Sequence, residues 1–126
     1  MKKTMPHIVI EYSEGAGRRM DVPALVKAVH RSVRESGAVK PNAVRTFARE
    51  ATHSLVADEH PDNQFVQIIL RIAPGRTPDE KRAILQTVYD AADGVVRPAL
   101  DEGRCALRAD LIQSDPDFAI HETTLP

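Results

Sequence analysis

The 126-residue sequence has one cysteine, a formal net charge of only −1 and no long apolar run. Because a disulfide needs two cysteines, Cys105 alone rules out an intrachain disulfide framework. The small net charge argues against a nucleic-acid partner, since neutralising phosphates requires a surplus of basic groups. A membrane span requires about 20 consecutive apolar residues, so we also expect no membrane partner.

The start of the chain resembles only the charged first part of a secretory signal. Met1–Thr4 is positively charged, but Pro6 and His7 follow and the apolar segment of a signal is missing. We therefore expect a cytoplasmic protein. Residues 1–5 are interpreted as a leader that the mature protein can lack, and residues 6–126 as a single domain, which is the size of one ordinary hydrophobic core.

Several signatures of chemistry are absent as well. No serine lies in a Gly-x-Ser-x-Gly turn, and no glycine pattern is typical of phosphate binding. The histidines do not occur at the close spacings of zinc ligands; they are His7, His30, His53, His60 and His121. We expect no metal and no organic cofactor.

The first half of the chain predicts a strand, a helix and a second strand. Residues His7–Ser13 are rich in β-branched side chains and alternate as in a strand. Asp21 is a candidate N-cap for a helix whose apolar positions run from Val22 to Val33, and Gly37 is its expected stop. Alternation resumes at Val44–Ala51, with Arg45, Phe47 and Arg49 on one face.

The second half repeats this pattern. Phe65–Ile72 is the strongest predicted strand, and Thr77–Glu80 forms a capping box before the second helix. Because Gly94 and Pro98 interrupt that helix, we expect a kink or break near Val95. Cys105–Ile112 is the last predicted strand, and Phe118–Glu122 a short extended tail.

Two tandem βαβ units predict an α+β domain of two layers, a four-stranded mixed sheet backed by two helices. Two helices can cover only one face of such a sheet. Since Phe65–Ile72 is apolar on both faces, the uncovered face needs another subunit. The pattern predicts a homo-oligomer without fixing the number of its subunits.

One stretch has an unusual chemical possibility: Met5-Pro6-His7-Ile8-Val9-Ile10-Glu11-Tyr12-Ser13. If Met5 is the initiator and is removed, the nitrogen of Pro6 becomes a secondary amine. An α-amino group titrates near pKa ~8, and burial lowers the pKa of an amine further. Such an amine can act as a base, although a proline at the start of an edge strand is the ordinary interpretation.

This stretch closely resembles the start of the 5-carboxymethyl-2-hydroxymuconate isomerases, members of the tautomerase superfamily with an amino-terminal catalytic proline. The resemblance runs from Met5 to about Phe118 and is sharpest at Pro6, Arg45 and Arg76. It implies a tautomerase-like fold, a homotrimer with active sites at subunit boundaries, and 5-carboxymethyl-2-hydroxymuconate, from homoprotocatechuate breakdown, as substrate.

The resemblance also implies roles for three residues. Pro6 would be the catalytic acid and base, moving a proton between the enol oxygen and a carbon of the diene. Arg76 and Arg45 would bind substrate carboxylates, and Arg45 could polarise the developing oxyanion. The ordinary alternatives are a solvated turn residue at Arg76 and a surface ion pair at Arg45. Arg49 is a weaker candidate, and we expect Arg71 to be paired within the oligomer.

Two other functions stay open on the sequence alone. The chain could be a tautomerase for a different 2-hydroxydienoate. It could also be a non-catalytic trimeric module of the same fold that binds an anion, because an acylated Pro6 has no basic lone pair.

Overall fold

The computed structural model describes residues 5–126; the residues before Met5 in the predicted leader lie outside them. The predicted order of strands and helices is confirmed. The elements are β1 (His7–Ser13), α1 (Val22–Arg34), β2 (Arg45–Ala51), β3 (Gln64–Ile72), α2 (Pro78–Glu102) and β4 (Cys105–Gln113). No helix among the described residues is long and apolar enough to cross a membrane.

The strands form one mixed sheet in the order β2-β1-β3-β4. Strand β1 is parallel to β2, and β3 is parallel to β4, as two βαβ units require. The two units meet through an antiparallel pairing of β1 with β3 at the centre of the sheet. The predicted α+β architecture of four strands and two helices is therefore confirmed.

Both helices begin at the predicted caps. The side chain of Asp21 accepts a hydrogen bond from the backbone N–H of Ala24 at 3.0 Å, at the start of α1. At the start of α2, Thr77 and Glu80 form the reciprocal capping box. Gly37, three residues after the end of α1, has a φ of +76° that favours glycine.

The predicted break near Val95 is wrong, because α2 is continuous over 25 residues. Pro98 removes the N–H that would have bonded to the carbonyl of Gly94. Both residues are exposed, so water can satisfy that carbonyl at little cost. Val96 and Ala99, on the buried side of the helix, keep the segment packed against the sheet.

The core lies between the two helices and one face of the sheet. Alternate residues of the central strands point into it, and the helices supply every third or fourth position. The buried set includes Ile8, Ile10, Val66, Ile68 and Leu70 from the strands, with Leu25, Val29, Val33, Ile84 and Val88 from the helices.

The opposite face of the sheet, here called the open face, is not covered by any element of the described chain. It carries apolar side chains among charged ones: Val9, Phe47, Phe65, Ile69 and Ile112. Phe47 is 50% exposed and Ile112 is 41% exposed, although both belong to strands. After β4 the chain makes a 3-10 turn at Pro116–Phe118 and continues without regular structure.

Candidate active site

The topology brings the three predicted site residues to one end of the sheet. Pro6 directly precedes β1, and Arg45 is the first residue of β2. Because β3 runs antiparallel to β1, it ends where β1 begins, and Arg76 lies in the turn that follows β3. We call this region the Pro6 end.

Pro6 is buried at the start of β1. Its carbonyl oxygen accepts a hydrogen bond from the backbone N–H of Arg45 at 3.3 Å, which continues the parallel pairing of β1 and β2. Met5 stands in front of Pro6, and its sulfur lies 3.1 Å from the hydroxyl oxygen of Ser114. The backbone of Pro6 is therefore held to the sheet, and the side chain of Met5 before it contacts Ser114.

A cavity of about 580 Å³ opens at this end. Its volume is within the range of small-molecule sites, roughly 300–1,000 Å³. The lining combines cationic and imidazole groups with apolar side chains: Met5, His7, Arg45, Arg71, Ala73, Pro74, Ser114, Asp115, Pro116, Phe118, Ala119, Ile120 and His121. Such a lining suits a small organic anion with an apolar skeleton.

Arg45 and His7 form a direct contact on the floor of the cavity. The two residues are register partners on β2 and β1. The Nη2 atom of Arg45 donates to Nε2 of His7 at 2.7 Å, so this nitrogen of the ring is the acceptor. A neutral imidazole that accepts at Nε2 carries its proton on Nδ1. The contact therefore holds the guanidinium of Arg45 against the ring of His7.

The electrostatic surroundings keep His7 uncharged. Burial lowers the pKa of His7, and the neighbouring Arg45, His121 and Arg71 lower it further because each disfavours another positive charge. At neutral pH the ring is therefore a neutral hydrogen-bonding group beside two cations. It does not add a third positive charge to the cavity.

Arg76 has an incomplete set of hydrogen bonds. Its Nη2 donates to the carbonyl oxygen of Ala38 at 3.1 Å, whereas the buried Nη1 has no partner among the described residues. Burial lowers the pKa of Arg76, and the nearby charge of Glu80 opposes this shift. A buried donor without an acceptor costs about 1–3 kcal/mol, which an incoming carboxylate can relieve. Arg76 is not among the residues that line the cavity.

The weaker candidates lie elsewhere. Arg49 forms an ion pair with Glu11 at 2.9 Å on the open face, so its charge is already balanced. Cys105 packs against the core, and burial raises the pKa of its thiol, which lowers the fraction of reactive thiolate. Within residues 5–126, no group of three or more histidine, cysteine, aspartate or glutamate side chains could hold a metal ion.

The sequence interpretation gave no role in the site to Arg71 and His121, and it treated His7 mainly as a packed strand residue. Arg71 reaches the site through the antiparallel pairing of the central strands, which places it directly opposite His7. Two parallel βαβ units do not by themselves specify that register. His121 lies in the irregular segment after β4, where no periodic pattern could position it.

Comparison with known proteins gives a family match over almost the whole domain. The model of the family described as "CHMI: 5-carboxymethyl-2-hydroxymuconate isomerase" matches residues 6–125. The matched region therefore begins at Pro6. No curated protein sequence matches the chain significantly.

Solved structures agree with this fold. A crystal structure of 5-carboxymethyl-2-hydroxymuconate delta-isomerase is 24% identical, with a TM-score of 0.85 over 96% of this chain and 90% of the other. A 5-carboxymethyl-2-hydroxymuconate isomerase from Deinococcus radiodurans R1 is 16% identical, with a TM-score of 0.87 over 98% and 92%. A fused 4-OT wild-type symmetric trimer is 19% identical, with a TM-score of 0.59 over 85% of both chains.

Proposed function

The chain belongs to the 5-carboxymethyl-2-hydroxymuconate isomerase family and is an isomerase, and we propose that Pro6 is its acid and base. The substrate is 5-carboxymethyl-2-hydroxymuconate, a conjugated dienol with three carboxylates. The mature, active form begins at Pro6, so that the nitrogen is a free secondary amine. The observation that carries this proposal is the position of Pro6 in the chain: it is buried and does not itself line the cavity, but its neighbours Met5 and His7 line it together with Arg45 and Arg71.

The surroundings of Pro6 favour an amine that can accept a proton near neutral pH. Burial disfavours the charged ammonium form, and the guanidinium of Arg45 acts in the same direction. His7, which follows Pro6 in the chain, is held neutral. It therefore supplies no competing acid at neutral pH. A base whose pKa lies near the working pH is the most effective one for proton transfer.

The reaction is a proton transfer in two steps. Pro6 removes the proton from the 2-hydroxyl group, and the negative charge spreads from this oxygen over carbons 3 and 5 of the dienolate. The ammonium of Pro6 then returns the proton to carbon 5. The oxygen becomes a ketone, the 2,4-diene becomes a 3-ene conjugated with it, and the amine is regenerated. Nothing is oxidised or reduced.

The arginines hold the substrate and its developing charge. Arg45 faces the enol oxygen, where a positioned donor is worth most as the oxyanion forms. Its hydrogen bond to His7 fixes the guanidinium before the substrate arrives. Arg76 binds a carboxylate through its unsatisfied Nη1 at the start of α2, where the helix dipole also favours an anion.

We further propose that the protein is a homotrimer, assembled through the open face. The support is the exposed apolar set on that face, in particular Phe47 and Ile112, because a single chain rarely leaves such a strand surface in water. A fold neighbour is itself described as a symmetric trimer.

The experiment compares two homogeneous forms of the protein, one beginning at Pro6 and one retaining residues 1–5, and follows enol–keto conversion of the substrate. We expect the Pro6 form to be active and the longer form to be slower by about 10²–10⁴-fold, the usual contribution of a general acid–base group. N-terminal sequencing and intact mass establish which form each sample contains. Pro6→Ala in the shorter form tests the ring nitrogen itself.

A specific observation favours one rival function. In the described chain Met5 precedes Pro6, so the nitrogen of Pro6 is an amide nitrogen, which cannot take a proton. A non-catalytic module that binds anions would keep the cavity and use its arginines alone. Equal conversion rates for the two forms, or undiminished activity of Pro6→Ala, would remove Pro6 from the mechanism.

A further inference from the structure

The arginines on the open face differ in their partners. Three are paired: Arg45 with His7, Arg49 with Glu11 and Arg108 with Asp110. The fourth, Arg71 on β3, forms no hydrogen bond or ion pair with any residue between 5 and 126. Within its own chain the charge of Arg71 is therefore unbalanced, whereas the charges of Arg49 and Arg108 are balanced locally.

Arg71 also lies in the candidate active site. It is the register partner of His7 across the central antiparallel pair, and His7 is in turn the partner of Arg45. The three side chains form a row over three neighbouring strands, and all of them line the 580 Å³ cavity. Since strands are about 4.8 Å apart, the two arginines are attached roughly 10 Å apart, with the neutral histidine between them.

Little negative charge in the cavity competes for Arg71. Among the lining residues, Asp115 is the one carboxylate. It is engaged by the backbone N–H of Asp117, which donates to it at 2.9 Å in the turn after β4. The row of Arg45, His7 and Arg71 thus presents two cations at its ends and a neutral ring in the middle.

We propose that Arg71 binds the carboxylate of the substrate's carboxymethyl branch and thereby sets the preference for a three-carboxylate dienol over a two-carboxylate one. This inference rests on the proposed function. Pro6 directly precedes His7 in the chain, so its nitrogen is only one residue away from the middle of the row. With the enol oxygen at Arg45, carbon 5 and its branch extend towards Arg71. Arg45 then faces the developing oxyanion, Arg76 binds one carboxylate, and Arg71 binds the carboxylate of the branch.

The test compares two substrates in the same variants. The first is 5-carboxymethyl-2-hydroxymuconate, and the second is 2-hydroxymuconate, which lacks the carboxymethyl group. For Arg71→Met we expect kcat/KM on the first substrate to fall about 10- to 100-fold, the usual effect of losing a hydrogen bond between charged groups. On the second substrate we expect a change of less than about threefold, and Arg71→Lys should restore part of the loss.

The matched control is Arg108→Met, which removes an arginine from the same face outside the cavity. It should change kcat/KM on neither substrate by more than about twofold, because Arg108 is paired with Asp110. Thermal unfolding and the solution mass of each variant show whether fold and assembly are intact. Equal losses on both substrates, or no loss on either, overturn the role of Arg71.

A binding measurement separates this inference from the proposed function. Calorimetric titration with 2-carboxymethyladipate and with adipate, which are the saturated counterparts without the hydroxyl group, needs no turnover. We expect Arg71→Met to weaken binding of the tricarboxylate about 10- to 100-fold and that of adipate by less than about threefold. If the wild type converts neither dienol, the isomerase mechanism fails, while the ratio of the two affinities still decides the role of Arg71.

Discussion

The guanidinium of Arg45 donates to Nε2 of His7 at 2.7 Å across the parallel strands β2 and β1. The contact joins the first residue of one strand to the residue that follows the proposed base. It makes the position of Arg45 depend on a neutral imidazole. Protonation of His7 would remove the acceptor and place two positive charges side by side.

Stability should therefore depend on pH through His7. The pKa of this ring is lowered in the folded state by burial and by Arg45, His121 and Arg71, relative to about 6.5 in the unfolded chain. Below the unfolded pKa, the unfolded state binds more protons than the folded state, so the free energy of unfolding falls. We expect wild-type stability to be level above about pH 7.5 and to decrease as the pH falls through 6.5 towards the lower folded pKa.

Urea unfolding from pH 8 to pH 5 measures this dependence, with His7→Gln as the comparison. The variant should show a shallower decrease, since glutamine does not titrate and can still accept from Arg45. His30→Gln is a useful control. The pKa of His30 is also lowered by burial. This variant therefore shows how much of the pH dependence of the unfolding free energy comes from His30. Identical slopes in wild type and His7→Gln would contradict the assignment.

Substitution of Arg45 should affect catalysis more than stability. In Arg45→Gln the charged donor to the forming oxyanion is replaced by a shorter, neutral amide, and we expect kcat/KM to fall about 10²–10³-fold, as for one donor of an oxyanion site. Steady-state rates of enol–keto conversion measure the effect.

Arg49→Gln is the matched control for Arg45, because it removes an arginine from the same face of the same strand. Arg49 pairs with Glu11 at 2.9 Å and does not line the cavity. The kcat/KM of Arg49→Gln should therefore stay within about threefold of wild type. A comparable loss in both variants would show that the face as a whole, and not Arg45, controls the rate.

The open face should hold the subunits together. Phe47 lies near the middle of the edge strand β2 and is 50% exposed in the single chain. Phe47→Glu places a charge there, and we expect the solution mass to shift from trimer to monomer, because burying an unpaired carboxylate is costly. Sedimentation or light scattering measures this shift. Leu55→Glu is the control: Leu55 is 79% exposed in a loop, so the mass should not change.

Much of the fold could be predicted from the sequence because local chemistry and periodicity agree. The capping box at Thr77–Glu80 and the alternation in β3 each specified one element, and the structure confirms both. The exception was Pro98. Its effect on the helix depends on the exposure of the freed carbonyl and on the packing of the next turn. Both are properties of the tertiary structure, which the local sequence does not specify.

The candidate site was less predictable because it depends on strand register. Pro6, Arg45 and Arg76 could be named from the family resemblance, and the strand order explains why they share one end of the sheet. The place of Arg71 beside His7 follows only from the antiparallel pairing of β1 with β3. A sequence interpretation that specifies each strand but not its neighbours cannot supply that contact.

The turn after β1 offers a final test of packing. A Cβ atom added at Gly15 would clash with the side-chain amide of Gln64. That side chain is buried and held in place, since the hydroxyl of Ser13 donates to its oxygen at 2.6 Å and its nitrogen donates to the carbonyl of Pro61 at 3.2 Å. It can yield only by breaking these bonds. We expect Gly15→Ala to lower the free energy of unfolding by about 1–3 kcal/mol.

Gly94→Ala is the matched control, because Gly94 lies within α2 and an added Cβ would meet nothing within 4 Å. There the methyl group only reduces the freedom of the unfolded chain and favours the helix, so we expect a gain of about 0.5–1 kcal/mol. Denaturant unfolding of the two variants should thus give changes of opposite sign. A neutral or stabilising Gly15→Ala would mean that Gln64 can move without loss, and that the Ser13 contact does not fix the end of β1.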